Sequence, residues 1–228
     1  MQAAAVVAAS GLGRRMGTAA KKQYLLLEGI PILARSVNMF VEAPGVMQII
    51  VVIPPGETVQ ARKILKPYCP LDQLIFTEGG ERRQDSVLNG LRLVNRDAEL
   101  VCIHDGARPL VSKALISATM HAALQWGAAV PVLPVTDTLK EVNADGTINS
   151  TVPRDNLRRA QTPQIFRQDL IQEAYRKAEV LGINATDDAY LLELLGFKVF
   201  SVPGEPENIK ITCPADLQIA EAFMKGAP

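Results

Sequence analysis

The chain has 228 residues, and its 24 basic side chains balance 24 acidic ones. A hydrophobic fraction of 48% and a charged fraction of 21% are typical of an ordinary globular domain with a sizeable core. The balanced charge excludes a global positive field for nucleic acid or anionic lipid, and no apolar run reaches the roughly 20 residues that span a bilayer.

Short β-branched runs alternate with longer helical patterns along the whole chain. The strands are predicted at 4–9, 48–53, 74–77, 100–104, 128–132 and 198–202. The helices are predicted at 31–41, 58–66, 85–94, 113–126, 167–181, 187–195 and 214–224. This alternation predicts an α/β fold with a mostly parallel sheet and helices on both faces. Ligands of such folds bind beyond the carboxyl ends of the strands.

One segment, 134–152, departs from the alternation and is predicted to be a β-hairpin. Two strand-like runs flank Asp145-Gly146, a strong hairpin turn signal. An isolated hairpin is marginal in water, so we expect it to pack on another surface, such as that of another subunit.

The cysteines Cys69, Cys102 and Cys213 are odd in number and far apart. They form no Cys-x-x-Cys pair, so neither a disulfide framework nor a zinc site is expected. We interpret them as three buried small side chains in a protein of the reducing cytoplasm. The apolar N-terminus lacks a basic leader and is interpreted as a first strand rather than a signal peptide.

A glycine-rich loop follows the first predicted strand. It contains Gly11, Gly13 and Gly17, with Arg14 and Arg15 between them. Glycines let backbone N–H groups approach phosphate oxygens, and arginines supply opposing charge. The spacing is neither that of a P-loop nor Gly-x-Gly-x-x-Gly. Alone, the loop is equally consistent with a solvated strand-to-helix turn.

A second glycine pair, Gly79-Gly80, precedes a predicted helix. Asp85 or Ser86 could cap that helix. Alternatively, Ser86 and the nearby backbone amides contact a nucleotide at the helix N-terminus.

His104-Asp105 ends an apolar run and should lie at the same edge of the sheet. An unpaired Asp105 carboxylate there would be a good magnesium ligand, and Arg108 could hold a substrate phosphate. The alternative is an Asp105–Arg108 ion pair in a turn. His104 is interpreted as a hydrogen-bonded structural residue rather than a base.

Two later segments leave alternatives open. Thr186 followed by Asp187 and Asp188 is typical of an N-cap with acids in the first helical turn. Lys210 lies between Ile209 and Ile211, as on a short strand, and either is solvated or faces a phosphate.

Together these blocks resemble the 2-C-methyl-D-erythritol 4-phosphate cytidylyltransferase family, in the family's order and over nearly the whole chain. The matching pieces are Gly11-Leu12-Gly13-Arg14-Arg15-Met16, Lys22-Gln23-Tyr24, Gly79-Gly80, Arg83, Asp85-Ser86-Val87, His104-Asp105, Ala107-Arg108-Pro109, Asp137-Thr138, Arg154, Thr162-Pro163-Gln164, Thr186-Asp187-Asp188-Ala189 and Asn208-Ile209-Lys210. The resemblance implies a single domain, 1–228, with a three-layer Rossmann-like nucleotidyltransferase fold and a protruding hairpin arm at about 134–155.

The resemblance also implies a reaction and a set of site residues. CTP would transfer a cytidylyl group to 2-C-methyl-D-erythritol 4-phosphate with Mg²⁺, releasing pyrophosphate, in the non-mevalonate route to isoprenoid precursors. The implied catalytic residues are Arg15 and Lys22 at the α-phosphate, and Arg154 and Lys210 at the acceptor. The implied acceptor site is completed by Asp105, Arg108, Thr138 and Thr162, with Asp105 also a metal ligand. The implied nucleotide site consists of Ala9, Ser10, Gly11, Gly13, Gly80 and Ser86.

The family is homodimeric, so the resemblance places Thr138 and Arg154 in the partner's site. Lys21 departs from the family's usual proline, and could compete with Lys22 for the phosphate. Three alternatives stay open: a ribitol 5-phosphate cytidylyltransferase, a sugar-1-phosphate nucleotidyltransferase, and a non-catalytic nucleotide-binding module.

Overall fold

The structure of the protein is a computed structural model that describes residues 1–11 and 21–226. The predicted site residues Gly13 and Arg15 lie outside the described residues, as does the rest of 12–20.

An eight-stranded, mostly parallel sheet forms the centre of the fold, as predicted. The twelve strands of the described chain are β1 (Ala3–Ala8), β2 (Leu26–Leu27), β3 (Ile30–Pro31), β4 (Val46–Ile53), β5 (Leu74–Glu78), β6 (Leu100–Asp105), β7 (Ala128–Pro134), β8 (Leu139–Val142), β9 (Ile148–Val152), β10 (Arg158–Ala160), β11 (Gln164–Arg167) and β12 (Phe200–Pro203). Strands β6, β1, β4 and β5 lie side by side in parallel, while β12 runs parallel to β7.

Seven α-helices are described: α1 (Ile32–Val41), α2 (Thr58–Leu65), α3 (Arg83–Leu91), α4 (Lys113–Trp126), α5 (Gln168–Leu181), α6 (Asp188–Leu194) and α7 (Pro214–Gly226). Alternate residues of β1 belong to two different hydrophobic cores. Ala5 and Val7 pack with residues of α1, α2 and α4, whereas Ala4 and Val6 pack with residues of α3, α5 and α6. Because both faces of the sheet are covered, the strand is apolar throughout, and the layered architecture predicted from the sequence is confirmed.

Strands β10 and β11 were not predicted from the sequence. Strand β11 lies between β6 and β7 and is antiparallel to both, and β10 is antiparallel to β7. Only Ile165 and Phe166 of β11 are apolar, so the run is too short to give a periodic signal. The small β2–β3 pair was also missed, for the same reason.

The 134–152 segment contains the predicted pair of strands, which form a separate two-stranded sheet. Gly146 in the turn has a φ of +87°, a conformation that favours glycine. The four residues of β8 are all exposed.

Two further expectations concern cysteines and membranes. All three cysteines are free, and Cys69 and Cys102 are buried, but Cys213 is partly exposed, so the expectation that all three are buried is wrong. Among residues 1–11 and 21–226, no helix is long and apolar enough to cross a membrane.

Candidate active site

A cavity of about 490 Å³ opens at the carboxyl ends of β1 and β6, beside the start of α3. Most of the predicted site residues line it: Ala9, Ser10, Gly11, Lys22, Gly80, Ser86, Asp105 and Lys210. Side chains from the beginning, middle and end of the chain therefore meet at the edge of the sheet where the α/β fold binds ligands.

The two serines join the end of β1 to the start of α3. The Ser10 hydroxyl donates to Ser86 Oγ at 2.8 Å, and Ser86 Oγ also accepts from the Gly80 N–H at 3.1 Å. A Cβ on Gly79 would lie 2.3 Å from that of Ser10, so only glycine permits this approach. These hydrogen bonds therefore hold together the two segments that are predicted to bind the nucleotide, the one after β1 and the one before α3.

The helix-capping expectation for Asp85 is met in a different form. Helix α3 begins at Arg83, and the Asp85 carboxylate accepts from the Arg82 N–H at 3.0 Å. This satisfies a backbone donor that the helix itself leaves unpaired.

The Asp105 carboxylate is surrounded by cations, so of the two alternatives left open by the sequence the structure has the paired carboxylate. Arg83 Nε donates to Oδ1 at 3.2 Å, and Lys210 Nζ lies 2.8 Å from Oδ2. Arg108 Nε lies 3.8 Å from Oδ2, as the alternative Asp105–Arg108 pairing predicted. Burial alone would raise the pKa of Asp105, but these three charges hold it well below its usual range.

Lys210 reaches this carboxylate from an irregular segment, so the strand expected around it is absent from the described chain. The buried Ile211 fixes the segment, because its N–H donates to the Ala107 carbonyl at 2.8 Å.

A buried hydrogen-bond network of Thr162 and His104 holds the backbone at Asp105. The Thr162 hydroxyl oxygen accepts from the Asp105 N–H at 3.1 Å and lies 3.1 Å from His104 Nδ1. His104 Nε2 lies 3.1 Å from the Arg108 carbonyl, which can only accept, so Nε2 carries the proton and Nδ1 accepts from Thr162. Burial lowers the pKa of His104 to about 4, which keeps the ring neutral. His104 is structural, as the sequence analysis expected, and Thr162 is buried beside it rather than lining the cavity.

Arg83 lines the cavity, although the sequence analysis gave it no role. Its guanidinium forms two hydrogen bonds, of 3.0 and 2.8 Å, with the buried Asp188. Tyr175 donates to the same carboxylate at 2.5 Å. The N-cap of α6 is Asp187 rather than Thr186, since its side chain accepts from the Tyr190 N–H. Because Asp187 caps the helix, Asp188 is left to pair with Arg83. No local sequence pattern predicts this pair.

Among the described residues, Lys22 lines the cavity and Lys21 does not. Its ammonium instead pairs with the Glu57 carboxylate. That Lys21 could compete with Lys22 for a phosphate stays a prediction.

The hairpin residues stay away from this cavity within one chain. Thr138 and Arg154 are both exposed, and Arg154 donates to the Thr136 carbonyl. Neither lines the cavity, and their roles stay predictions.

The donor set for a metal ion is small. The described residues contain no group of three or more histidine, cysteine, aspartate or glutamate side chains placed to hold one. Asp105 could offer one oxygen to a divalent cation only by exchanging a cationic neighbour for it. That fits a cation held mainly by the phosphates of a bound nucleotide.

The chain is similar to known proteins over nearly its whole length. The family model described as 2-C-methyl-D-erythritol 4-phosphate cytidylyltransferase matches residues 3–226. Curated proteins of that name from Syntrophus aciditrophicus and Desulforamulus reducens are 45% and 46% identical, each over 97% of this chain and 95% of theirs.

Solved structures extend the agreement to the fold. A crystal structure of 2-C-methyl-D-erythritol 4-phosphate cytidylyltransferase from Thermus thermophilus has a TM-score of 0.81 at 35% identity, covering 99% of this chain and 100% of that one. That of the 4-diphosphocytidyl-2C-methyl-D-erythritol synthase from Anaerococcus prevotii has a TM-score of 0.85 at 30% identity, covering 98% and 96%. The chain therefore belongs to the 2-C-methyl-D-erythritol 4-phosphate cytidylyltransferase family.

Proposed function

We propose that this protein transfers the cytidylyl group of CTP to 2-C-methyl-D-erythritol 4-phosphate, releasing pyrophosphate. The observation that carries the proposal is one cavity lined by Lys22 and Lys210, which lie at opposite ends of the chain. A site that only binds a nucleotide has no need of a second phosphate-binding cation. Two cationic positions suit a reaction that joins two phosphorylated substrates.

The chemistry needs positioning more than proton transfer. An oxygen of the acceptor's phosphate attacks the α-phosphorus of CTP, and the bond from that phosphorus to the bridging oxygen breaks. A phosphate monoester has a second pKa of about 6, so the nucleophile is already ionised at neutral pH. This fits the buried, neutral His104, whose two ring nitrogens are both hydrogen-bonded inside the protein, so that it does not act as a base.

The main barrier is repulsion between two polyanions, and the cation cluster opposes it. The cations of Arg83, Arg108 and Lys210 surround the Asp105 carboxylate. Arg83 also pairs with Asp188, so the cluster has three positive and two negative charges and keeps one excess positive charge. In this proposal Lys210 and Arg108 hold the acceptor phosphate. Lys22, with Arg15 from the sequence, stabilises charge that develops on the α-phosphate.

The nucleotide occupies the joint between β1 and α3. Ala9, Ser10, Gly11, Gly80 and Ser86 line that side of the cavity. A divalent cation bound with the nucleotide would neutralise phosphate charge, and Asp105 is the residue that we propose as its ligand.

The hairpin completes the proposal as a dimerisation arm. Thr138 and Arg154 are exposed and away from the cavity of their own chain. In a symmetric homodimer they enter the partner's cavity and position its acceptor.

A pyrophosphate-release assay tests the proposal directly. Each of the four ribonucleoside triphosphates is paired with 2-C-methyl-D-erythritol 4-phosphate or with ribitol 5-phosphate. Release is expected only with CTP and the methylerythritol phosphate. Preference for ribitol 5-phosphate would change the acceptor, and CTP binding without any pyrophosphate release would refute the transferase activity.

A further inference from the structure

We propose that Glu57 is a positioning residue that holds Lys22 at the cavity through its two neighbours, Lys21 and Tyr24. This inference rests on the proposed function, because it assigns Lys22 its part in turnover. Glu57 itself is not among the cavity-lining residues.

One carboxylate holds both ends of the turn that carries Lys22. Glu57 Oε1 accepts from the ammonium of Lys21, and Glu57 Oε2 accepts from the Tyr24 hydroxyl at 3.2 Å. Between these anchors, Lys22 and Gln23 line the cavity. The turn is a short 3₁₀-helix, Lys22–Tyr24, whose start has no side-chain cap.

Gln23 shows why such a clamp is needed. Its side chain is buried, and within residues 1–11 and 21–226 neither amide atom has a hydrogen-bond partner. A buried amide without partners disfavours the conformation that holds it. The hydrogen bonds of Lys21 and Tyr24 to Glu57 therefore help to fix the position of the turn.

The clamp is well placed to be rigid. The Glu57 side chain is 15% exposed and that of Lys21 is 33% exposed, so water screens their attraction less than at an open surface. Burial, and then the Glu57 charge, raise the pKa of Tyr24, so its hydroxyl stays protonated and remains a donor. Glu57 directly precedes α2 and follows the carboxyl end of β4 after three residues, at the same edge of the sheet as the cavity.

The experiment measures kcat and the KM for CTP in Glu57→Gln, Lys22→Ala and the double variant. We expect Glu57→Gln to lower kcat about tenfold or more, as a misplaced catalytic group does, with a smaller change in KM. In the Lys22→Ala background the same substitution should change kcat less than about twofold, because the group it positions is gone. An equal factor in both backgrounds would overturn the proposal.

Conservative and control variants complete the test. Lys21→Gln should lower kcat as Glu57→Gln does, because it removes the ammonium that Glu57 holds. Lys21→Arg keeps a positive charge and should keep kcat. Equal kcat values for Lys21→Gln and Lys21→Arg would also overturn the clamp. The control is Glu42→Gln, which removes a 3.0 Å pair with Lys113 in which both side chains are more than half exposed, and it should leave kcat unchanged. If Lys22→Ala itself keeps full turnover, the assignment of Lys22 fails. If only Lys22→Ala loses turnover, the clamp alone fails.

Discussion

Arg83 and Asp188 form a bidentate ion pair in which the carboxylate side chain is 1% exposed. The pair joins α3 to α6, and Arg83 continues from it to Asp105 at 3.2 Å. Burying charge is costly unless each group is paired, so this contact links the packing of the fold to the charge of the site.

Removing the Asp188 charge should therefore destabilise the fold. We expect Asp188→Asn to lower the free energy of unfolding by about 3 kcal/mol, since it removes a buried carboxylate that pairs with the partly buried Arg83 guanidinium. The measurement is a urea denaturation curve. The control is Asp169→Asn, whose pair with Arg167 is 3.3 Å long and has both side chains more than half exposed, and it should cost less than about 1 kcal/mol. Equal losses in both variants would mean that the buried pair contributes little.

This ion pair also marks the limit of prediction from the sequence. The parallel strands, their helices and the hairpin turn were predictable, because apolar periodicity and Asp145-Gly146 are local signals. The partner of Arg83 lies 105 residues away and depends on how α6 packs. Strand β11 was missed because an antiparallel strand of four residues gives no pattern of its own.

The sequence predicted part of the cavity lining, but not Arg83 and not the contacts between the lining residues. The motifs identified Lys22, Asp105 and Lys210, which share one cavity. They could not show that Asp105 is surrounded by three cations, or that the Thr162 hydroxyl is used inside the protein. Both features depend on contacts between segments that are distant in the sequence, and local sequence patterns do not predict such contacts.

Stability should fall in mild acid because of His104. Burial lowers the pKa of His104 to about 4, against 6.5 for the ordinary side chain. Between these values the unfolded chain binds a proton that the folded chain excludes, so stability is present above pH 6.5 and is lost as the pH falls. This group alone should remove about 2 kcal/mol between pH 7 and pH 5.

The measurement is urea unfolding at pH 7 and pH 5. In His104→Gln, the loss of unfolding free energy between pH 7 and pH 5 should be smaller by about 2 kcal/mol than in the wild type, whatever the stability of the variant at pH 7. The chain has two histidines, so His121→Gln is a matched control, and its exposed ring should leave the loss unchanged. A His104→Gln variant with the same pH dependence as the wild type would contradict the assignment.

Turnover should depend strongly on Lys22 and on Arg15. We expect Lys22→Ala and Arg15→Ala each to fold normally and to lower kcat by about 10²–10³-fold, with a much smaller rise in the KM for CTP. The reason is that charge on the α-phosphate develops in the transition state. The control is Lys63→Ala, an exposed lysine on α2. Near-normal turnover in both variants would remove these residues from the mechanism.

The last prediction tests whether Arg154 acts in the partner's cavity. Lys22→Ala and Arg154→Ala proteins should each be almost inactive alone. If each cavity combines Lys22 of one protomer with Arg154 of the other, a mixed dimer has one cavity with both defects and one with neither. Random exchange of equal amounts should then restore about a quarter of the wild-type activity, because half of the dimers are mixed. Subunit exchange is verified with differently tagged chains. Exchange without recovered activity would mean that Arg154 serves the cavity of its own chain, and the hairpin would then have to fold back onto it.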